Sequence, residues 1–372
     1  MRVAIDATSI PPKPAGAGVY AIELVRGLSE RGPRDGYAVF ARGPWFGGML
    51  SGKRNWRLEH VAAHSPASRL IWEQAQMPGA LERLGIDVLH STHHTLPVRP
   101  MSSKKVVTIH DVTFFRIPQR YPPARRYYMQ LVTWLAARVA QAIIVPSQTV
   151  RDDVVRTLHV RPDRVAVVYE AASADYRPID PAEARAVACR YGLTEPFLLS
   201  VGSLEPGKNR ARLIRALRAL RDEGIDATLF IAGQPAWDFA RDEQLVRQLR
   251  MQDRVVFGGY VPREDLPALH SASLAFVFPS LYEGFGLPAI EAMACGAPVL
   301  TSNVSATAEV AGDAAILVDP QSVDAIRDGL RRLLTDADLR GALSSAGIKR
   351  ASEFSWRRAA DETHAVYVRA LV

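Results

Sequence analysis

Cysteine and long apolar runs are scarce in this chain. Two cysteines, Cys189 and Cys295, are too few for a disulfide framework and indicate a reducing compartment. The most apolar stretch, 131–145, is interrupted by Arg138 and Gln141, so no run reaches the roughly 18 apolar residues of a membrane span. The N-terminus begins with a strand-like segment rather than the apolar region of a signal peptide. These absences argue against a disulfide-stapled secreted domain and an integral membrane protein, and they predict a soluble, cytoplasmic one.

Lysine is also scarce, although the chain is basic. The 46 basic and 39 acidic residues give a net charge of +7, and no block of about five like charges marks a nucleic-acid-binding tail. Nucleic acid is therefore not an expected partner, whereas an ordinary solvated surface and attraction to an anionic ligand or membrane face both fit. Nearly every basic position is arginine, and lysine occurs only at positions 13, 53, 104, 105, 208 and 349.

Length and periodicity predict two α/β domains. At 372 residues the chain is about twice the usual single-domain length. Short apolar segments alternate with segments of helical period such as 209–222, which is typical of doubly wound parallel sheets covered by helices. The predicted strands are Arg2–Asp6, Tyr37–Ala41, Ile86–Ser91, Lys105–His110, Ala142–Pro146, Phe197–Val201, Ala227–Ala232, Arg254–Phe257, Leu274–Phe278, Pro298–Thr301 and Ala315–Val318.

The pattern of strands and helices begins again near residue 196, after a proline-punctuated segment at 177–181. We therefore expect a linker at about 172–182 and Rossmann-like domains over 1–175 and 176–354. A last helix over 355–372 is expected to pack back on the first domain. Because open α/β sheets bind ligands beyond the carboxyl ends of their strands, the default site is a cleft faced by both domains.

The strongest chemical signal is the segment 279–291, which reads PSLYEGFGLPAIE. A predicted strand precedes it, Gly284 and Gly286 allow close backbone approach, and a proline follows where a helix would begin. Amides at a helix N-terminus bind anions, while Glu283 and Glu291 can accept hydrogen bonds from the hydroxyl groups of a ribose and a sugar. A nucleotide-diphosphate sugar fits this arrangement. An ordinary strand–turn–helix, with Glu291 favoured by the helix dipole, fits it as well.

This segment closely resembles the E-x7-E motif of retaining glycosyltransferases of family 4, and the resemblance covers the whole chain. It implies a GT-B fold, with two Rossmann-like domains facing a central cleft. It also implies an enzyme that moves a hexose from a nucleotide-diphosphate sugar to a hydroxyl of a glycan or lipid-linked acceptor. By this resemblance Glu283 contacts the donor sugar and Glu291 holds the ribose. The residues whose backbone then faces the sugar and diphosphate are Gly284, Phe285, Gly286 and Leu287.

A second glycine-containing loop, 201–209, follows the first strand of the second domain. Lys208, near the start of the next helix, suits a diphosphate whose negative charge grows as the sugar leaves. The resemblance matches this residue to the phosphate-binding lysine of the family. The chain departs from the family at Ser203 and Gly207, where many members carry arginine. Either Ser203 or Arg210 could contribute the missing contact.

Two segments of the first domain also match the family. Gly16 and Gly18 resemble the N-terminal glycine loop, whose backbone approaches the donor phosphates or the acceptor; the spacing also begins a dinucleotide-binding motif, but no third glycine completes it. His110 and Asp111 end a predicted strand, and the resemblance implies that His110 contacts the donor sugar and Asp111 the loop or the acceptor side.

Three weaker signals complete the predicted site. Val261 resembles the segment that packs against the nucleotide base. His93 and His94 follow a predicted strand and line either an acceptor pocket or a polar turn. The D-x-D pattern that begins at Asp336 is interpreted as a solvated helix end, so no metal and no cofactor are expected.

The segment 120–134 interleaves arginine with aromatic residues on a predicted helix. It fits contact with lipid headgroups or a lipid-linked acceptor, and hence a peripheral position at the inner face of a membrane. It also fits an amphipathic helix whose aromatic side chains lie in the core, and we favour this second interpretation.

The resemblance favours GDP-mannose as the donor, because 204–209 and 282–296 look like mannosyltransferases of surface-polysaccharide synthesis. UDP-sugars stay open as donors. Two other functions also stay open, namely a catalytically silent nucleotide-binding subunit and a nucleotide-sugar epimerase of the same fold.

Overall fold

The chain folds into two units, each built on one parallel sheet. The computed structural model describes residues 1–194, 196–236 and 239–372. The first unit contains Met1–Glu170 together with Ser355–Val372, and the second contains Ala171–Phe354. Within the described residues, no helix combines the length and hydropathy needed to cross a bilayer.

The first unit has a seven-stranded sheet in the order β3-β2-β1-β4-β5-β6-β7. Its strands are β1 (Arg2–Asp6), β2 (Gly36–Ala41), β3 (Trp56–His60), β4 (Val88–Ser91), β5 (Lys104–Thr108), β6 (Ala142–Val145) and β7 (Val165–Val167). Its helices are α1 (Ala17–Ser29), α2 (Gly47–Leu50), α3 (Pro66–Ile71), α4 (Met77–Leu84), α5 (Thr113–Arg116), α6 (Pro123–Val139) and α7 (Gln148–Leu158), and the last helix of the chain, Trp356–Leu371, also belongs here.

The second unit has a six-stranded sheet in the order β10-β9-β8-β11-β12-β13. Its strands are β8 (Phe197–Val201), β9 (Thr228–Ala232), β10 (Val255–Gly259), β11 (Ala275–Phe278), β12 (Val299–Ser302) and β13 (Ala315–Val318). Its helices are α8 (Pro181–Arg190), α9 (Arg210–Asp222), α10 (Phe239–Gln248), α11 (Leu266–Ala272), α12 (Leu287–Ala294), α13 (Ser305–Ala311), α14 (Val323–Thr335) and α15 (Ala337–Ser352), so the last helix of the chain is α16.

The central strands form because their side chains are apolar on both faces. Strands β4, β11 and β12 are buried at every position, as expected where helices cover both sides of a parallel sheet. One predicted end was wrong in a way that matters for the site. Strand β5 was expected to reach His110 but ends at Thr108, so His110 and Asp111 lie in the loop after it. Helix α9 begins at Arg210, one residue later than expected, and Lys208 lies in the 3-10 turn before it.

Helix α16 follows the second unit in the sequence but packs in the first unit. It packs on α1 so closely that a Cβ atom added to Gly27 would lie 2.7 Å from the carbonyl oxygen of Trp356. Farther along α16, the hydroxyl of Tyr367 lies 2.7 Å from Nδ1 of His90, and Nε2 of His90 lies 2.8 Å from the hydroxyl of Thr108. These contacts tie the helix to buried polar groups of β4 and β5.

Candidate active site

Each sheet reverses its strand order at one place, and the predicted glycine-containing loops follow strands at these reversals. In the second unit the reversal lies between β8 and β11, which are paired in the sheet. The loops after these two strands are 202–209 and 279–286. Ligands of open α/β sheets bind at such a switch point, beyond the carboxyl ends of the strands. The two loops singled out from the sequence are therefore neighbours.

The loop after β11 turns directly into helix α12. Gly286 caps that helix with a φ of 99°, a left-handed conformation that favours glycine. The side chains of Phe285 and Leu287 are buried, and Phe285 packs edge-on against Phe354. Since these two side chains face inward, residues 285–287 can offer their backbone to a ligand, whereas Glu283 can offer its carboxylate. The amides of this loop lie at the positive end of a helix, which suits an anion.

Lys208 and Glu283 form an ion pair that joins the two loops. Nζ of Lys208 donates to Oε1 of Glu283 at 2.6 Å, and both side chains are largely buried. The ammonium also lies 5.1 Å from the ring centre of Phe278. The hydroxyl of Ser280 donates to the same carboxylate oxygen. A cation and a carboxylate that are far apart in the sequence thus meet at the switch point.

The backbone of the Lys208 loop is fixed by hydrogen bonds to its neighbours. The carbonyl oxygen of Gly207 accepts from the amide of Leu281 at 2.9 Å and lies 3.0 Å from the hydroxyl oxygen of Ser280. Asn209 adopts φ 60°, and its side-chain amide donates to the carbonyl of Pro279 at 2.9 Å. These hydrogen bonds fix the position of loop 202–209 relative to loop 279–286.

Arg210 supports this loop rather than facing outward. Its Nε donates to Asp242 at 2.7 Å, and its Nη1 donates to the carbonyls of Ser203 at 3.3 Å and Glu205 at 2.9 Å. The side chain is 4% exposed. The idea that Arg210 reaches toward a phosphate is therefore wrong for this structure, while Ser203 itself is exposed.

Glu291 lies inside the second turn of α12 and is buried. It is hydrogen bonded to Tyr176. Burial, together with the neighbouring charge of Glu291, raises the pKa of Tyr176 well above its ordinary value. The same carboxylate adds to the effect of burial on Cys295, whose pKa rises to about 12. The guanidinium of Arg263 also lies near Tyr176, 5.8 Å from its ring centre.

Val261 lies just after β10 and is buried. The neighbouring strand β9 leads into Gly233, where an added Cβ atom would lie 1.8 Å from the carbonyl oxygen of Gly202. Glycine at 233 is thus required for the loops after β8 and β9 to approach each other.

In the first unit, the glycine loop after β1 leads into α1. Gly16 caps α1 with φ 47°, and Gly18 lies in its first turn, where an added Cβ atom would lie 3.3 Å from Pro11. The reversal of strand order in this sheet lies between β1 and β4. The glycine loop and the segment that holds His93 and His94 therefore follow adjacent strands.

His110 has a buried carboxylate partner that the sequence did not reveal. Its Nδ1 lies 3.4 Å from Glu170, and its Nε2 donates to the carbonyl of Thr92 at 3.0 Å. Burial disfavours the charged ring, but Glu170 outweighs burial and raises the pKa of His110. Tyr20 contacts the ring edge-on, with centroids 4.8 Å apart. Both ring nitrogens are thus directed at protein acceptors.

Asp111 accepts from the amide of Thr113 at 2.8 Å. Burial opposes its ionisation, but the nearby His94 and this hydrogen bond outweigh burial and lower the pKa of Asp111. Burial also lowers the pKa of His94 to about 4. The side chain of Asp111 thus fixes the backbone at the start of α5.

His93 belongs to a buried polar cluster with Asp6, Glu73 and Arg69. The ligand atoms of Asp6, Glu73 and His93 lie within 4.8 Å of one another, the spacing of a metal site among the described residues. Nη1 of Arg69, however, lies 2.8 Å from Glu73 and 2.7 Å from Nε2 of His93. The guanidinium therefore places its positive charge where a cation would bind. Glu73 itself lies in a π-helical turn, 72–76, of the kind often found at functional sites.

Sequence reasoning missed Glu170, Tyr176 and the Arg69–Glu73 pair. Each is a polar residue that becomes buried through contacts with distant segments. One local signal was available for Glu170, because an acidic residue follows directly after the apolar and aromatic segment 165–169. No motif marks Tyr176.

Comparison with known proteins identifies the family of both halves of the chain. The profile of Glycosyl transferases group 1 matches residues 190–350, and that of Glycosyltransferase Family 4 matches residues 14–175. The chain is 36% identical over 282 residues to O-antigen chain mannosyltransferase B of Escherichia coli, covering 75% of this chain and 74% of that protein.

A second curated relative supports the family, and a solved structure shows the fold. The chain is 32% identical over 288 residues to the serotype-specific mannosyltransferase WbdA of Escherichia coli, covering 73% of this chain and 34% of that longer protein. A solved structure, sucrose-phosphate synthase from Thermosynechococcus elongatus, superposes with a TM-score of 0.80 at 22% identity, covering 99% and 98% of the two chains, and shows the same GT-B fold. The chain is therefore a glycosyltransferase of family 4, with the GT-B fold.

Proposed function

We propose that the chain is a retaining mannosyltransferase that extends a glycan or a lipid-linked acceptor in surface-polysaccharide synthesis. Its donor is a nucleotide-diphosphate mannose, with GDP-mannose favoured over UDP-sugars. The observation that carries this proposal is the contact of Lys208 with Glu283 beside the N-terminal turn of α12. Support for the mannosyl group comes from the names of the two curated relatives, both of which are mannosyltransferases.

Each part of the donor has a matching group in the second unit. Lys208 and the amides of 284–287 suit the diphosphate, because they offer positive charge and N–H donors. Glu291 takes the ribose hydroxyls, and Glu283 takes hydroxyls of the sugar. Val261 packs beside the base. In the first unit, we assign His110 to the sugar and Asp111 to the loop on the acceptor side.

The transfer step breaks the bond between the anomeric carbon and the diphosphate oxygen. The electron pair leaves with the nucleoside diphosphate, and the acceptor hydroxyl oxygen bonds to the anomeric carbon on the same face. Its proton passes to an oxygen of the β-phosphate. Lys208 and the helix amides stabilise the growing negative charge of the leaving group, and such preorganised groups make a large contribution to catalysis. The protein supplies no nucleophile, cofactor or metal to this step.

Nucleotide binding tests the assignment of the donor site. Melting curves with GDP and with UDP, recorded in the presence of a chelator, are expected to show stabilisation of about 3 kcal/mol at roughly a hundredfold excess over Kd. In Glu291→Ala the affinity is expected to fall by about tenfold or more, because a charged hydrogen-bond acceptor is lost. Glu183→Ala, an exposed position in the same unit, is the matched control.

Equal nucleotide affinity of Glu291→Ala and the wild type would contradict the site. Incubation of GDP-mannose with and without acceptor glycans then tests the activity, and NMR of the product reads the anomeric configuration. Inversion would contradict the retaining mechanism. If nucleotide binds but the donor is neither hydrolysed nor transferred, the chain is a silent binding subunit instead.

A further inference from the structure

The segment 172–182, which the sequence marks as a linker, belongs to the second unit. Tyr176 in this segment is buried, with 6% of its surface exposed. Its amide donates to the carbonyl of Ser173 at 2.9 Å, which closes a tight turn. The expected linker therefore places a buried aromatic side chain inside the unit that carries the predicted donor site.

Hydrogen bonds anchor this segment to the end of helix α12. The amide of Ile179 donates to the hydroxyl oxygen of Ser271 in α11 at 3.1 Å, and that hydroxyl donates to the carbonyl of Cys295 at 3.2 Å. Cys295 caps the C-terminus of α12. Since Glu291 lies one turn earlier on the same helix, the segment is held in a fixed position relative to Glu291.

Arg263 and His270 lie beside the ring of Tyr176. Arg263, whose guanidinium lies near that ring, also donates from Nη2 to the hydroxyl oxygen of Ser173 at 3.0 Å, so it ties the ring to the turn that carries it. The ring of His270 is fully buried and lies 6.1 Å from that of Tyr176, centre to centre. Burial lowers the pKa of His270 to about 3, so this neighbour is neutral. These contacts leave the phenol ring little freedom to move.

The hydroxyl of Tyr176 is directed at Glu291. The two side chains are hydrogen bonded, and because an ionised carboxylate only accepts, the phenol is the donor. Burial raises the pKa of Tyr176 well above its ordinary value, so the phenol keeps its proton at neutral pH. A glutamate side chain has several rotatable bonds and loses rotamer freedom when it binds a ligand. A carboxylate that a rigid donor already holds has less of this freedom to lose.

We propose that Tyr176 is a positioning residue of the donor site, which aims the carboxylate of Glu291 at the ribose hydroxyl groups of a nucleoside diphosphate. The phenol occupies one lone-pair position of the carboxylate, and the others accept from the 2′ and 3′ hydroxyl groups. Since the ribose role of Glu291 belongs to the proposed function, this assignment rests on it. It adds a residue that lies outside every motif of the site, and it gives the segment 172–182 a part in nucleotide recognition.

Two nucleotides that differ only in the ribose test this role with the full chain. Calorimetry measures the Kd of GDP and of 2′,3′-dideoxy-GDP, or of the corresponding UDP pair if UDP is the tighter ligand. Wild-type protein is expected to prefer the ribonucleotide by about tenfold or more, because a buried carboxylate loses its hydroxyl donors in the dideoxy complex. Tyr176→Phe keeps the ring but no longer holds the carboxylate, so this preference is expected to fall by about three- to tenfold.

Tyr191→Phe is the matched control. The hydroxyl of Tyr191 donates to Oδ2 of Asp265 at 2.5 Å in the same unit, so this variant loses the same kind of hydrogen bond at a different carboxylate. Its preference for the ribonucleotide should stay within about twofold of the wild type. Tyr176→Phe combined with Glu291→Ala should show the same preference as Glu291→Ala alone, because the phenol then has no carboxylate to hold. Thermal melting checks that each variant is folded.

The outcomes distinguish the role of Tyr176 from the proposed function. If the wild type binds both nucleotides equally, Glu291 does not hold the ribose, and both the donor site and the role of Tyr176 fail. If Glu291→Ala loses the preference of the wild type but Tyr176→Phe keeps it, only the role of Tyr176 is overturned. That role is also overturned if Tyr176→Phe weakens the binding of both nucleotides by the same factor, since Tyr176 would then act through packing alone.

Discussion

Lys208 and Glu283 hold each other in place. Their contact satisfies a carboxylate and an ammonium that are both largely buried, and such a pair is costly to break from one side only. Ser280 donates to the same carboxylate. The ammonium is therefore fixed near the N-terminal turn of α12, where the proposed diphosphate binds.

Replacing Lys208 tests this arrangement. Lys208→Met is expected to lower kcat by about 100- to 1000-fold, the usual effect of removing one group that stabilises a developing anion. Lys208→Arg should recover only part of the loss, since a guanidinium fork does not place a point charge at the same position. Steady-state kinetics measures both variants. A loss confined to KM would contradict a role in the transition state.

Because Glu170 contacts His110, we expect the free energy of unfolding to depend on pH. The folded-state pKa of His110 is raised above its ordinary value of 6.5. The charged pair therefore stabilises the fold fully below that ordinary value, and this stabilisation is lost as pH rises through the folded-state pKa. Glu170→Gln is expected to cost about 1–2 kcal/mol in the free energy of unfolding at acidic pH, and less at alkaline pH.

Denaturant unfolding at several pH values measures this difference, and NMR titration of the His110 ring should show its pKa falling in Glu170→Gln. Glu82→Gln, exposed on α4 of the same unit, is the control and should behave like the wild type. A pH-independent difference between Glu170→Gln and the wild type would mean that Glu170 acts through packing alone.

At the scale of secondary-structure elements, helix packing requires glycine at position 27 but leaves room for a side chain at position 341. A Cβ atom added to Gly27 of α1 would collide with the backbone of α16, whereas nothing lies within 4 Å of the corresponding position at Gly341 of α15. Gly27→Ala is expected to destabilise the chain by about 1–3 kcal/mol through overpacking. Gly341→Ala should instead stabilise it by about 0.5–1 kcal/mol, because alanine favours a helix.

Thermal melting of the two variants makes this comparison directly. The substitution is the same in both, so a common shift in Tm would show that helix propensity, and not the contact with α16, sets the result.

The elements differ in how well the sequence predicts them. Strands such as β11 and β12 were predicted because both faces are buried and the run is continuously apolar. Strand β3 was missed, since it is a partly exposed edge strand that carries Arg57 and Glu59, and β7 is only three residues long. The expected helix end at Asp336 is confirmed, because its side chain caps α15.

The features of the candidate site also differ in how well the sequence predicts them. The two loops of the second unit carry local motifs and were identified from the sequence, and the family they indicated is confirmed. The ion pair between residues 208 and 283 was not predicted, because the partners are 75 positions apart and no local pattern encodes the contact. The exposure of Trp134 was likewise misjudged, since helical spacing alone does not say which face meets the core.

For the whole molecule, the ends of the chain belong to one unit. We expect a chain truncated after Phe354 to keep the fold of the second unit while weakening the first, because α16 contributes Trp356, Tyr367 and the bond to His90. Hydrogen exchange should show faster exchange in β4 and β5 of the truncated chain and unchanged exchange in β8 and β11. Uniform loss of protection in both sheets would contradict this division.

This arrangement also sets an order of events during synthesis. The ribosome makes most of the first unit early, then 171–354, and only afterwards the helix that completes the first core. At the usual speed of translation that interval lasts roughly 10 to 40 seconds. The second unit can therefore reach its native state while the first unit still lacks helix α16, and the nascent protein must keep the incomplete core of the first unit shielded until residues 355–372 emerge.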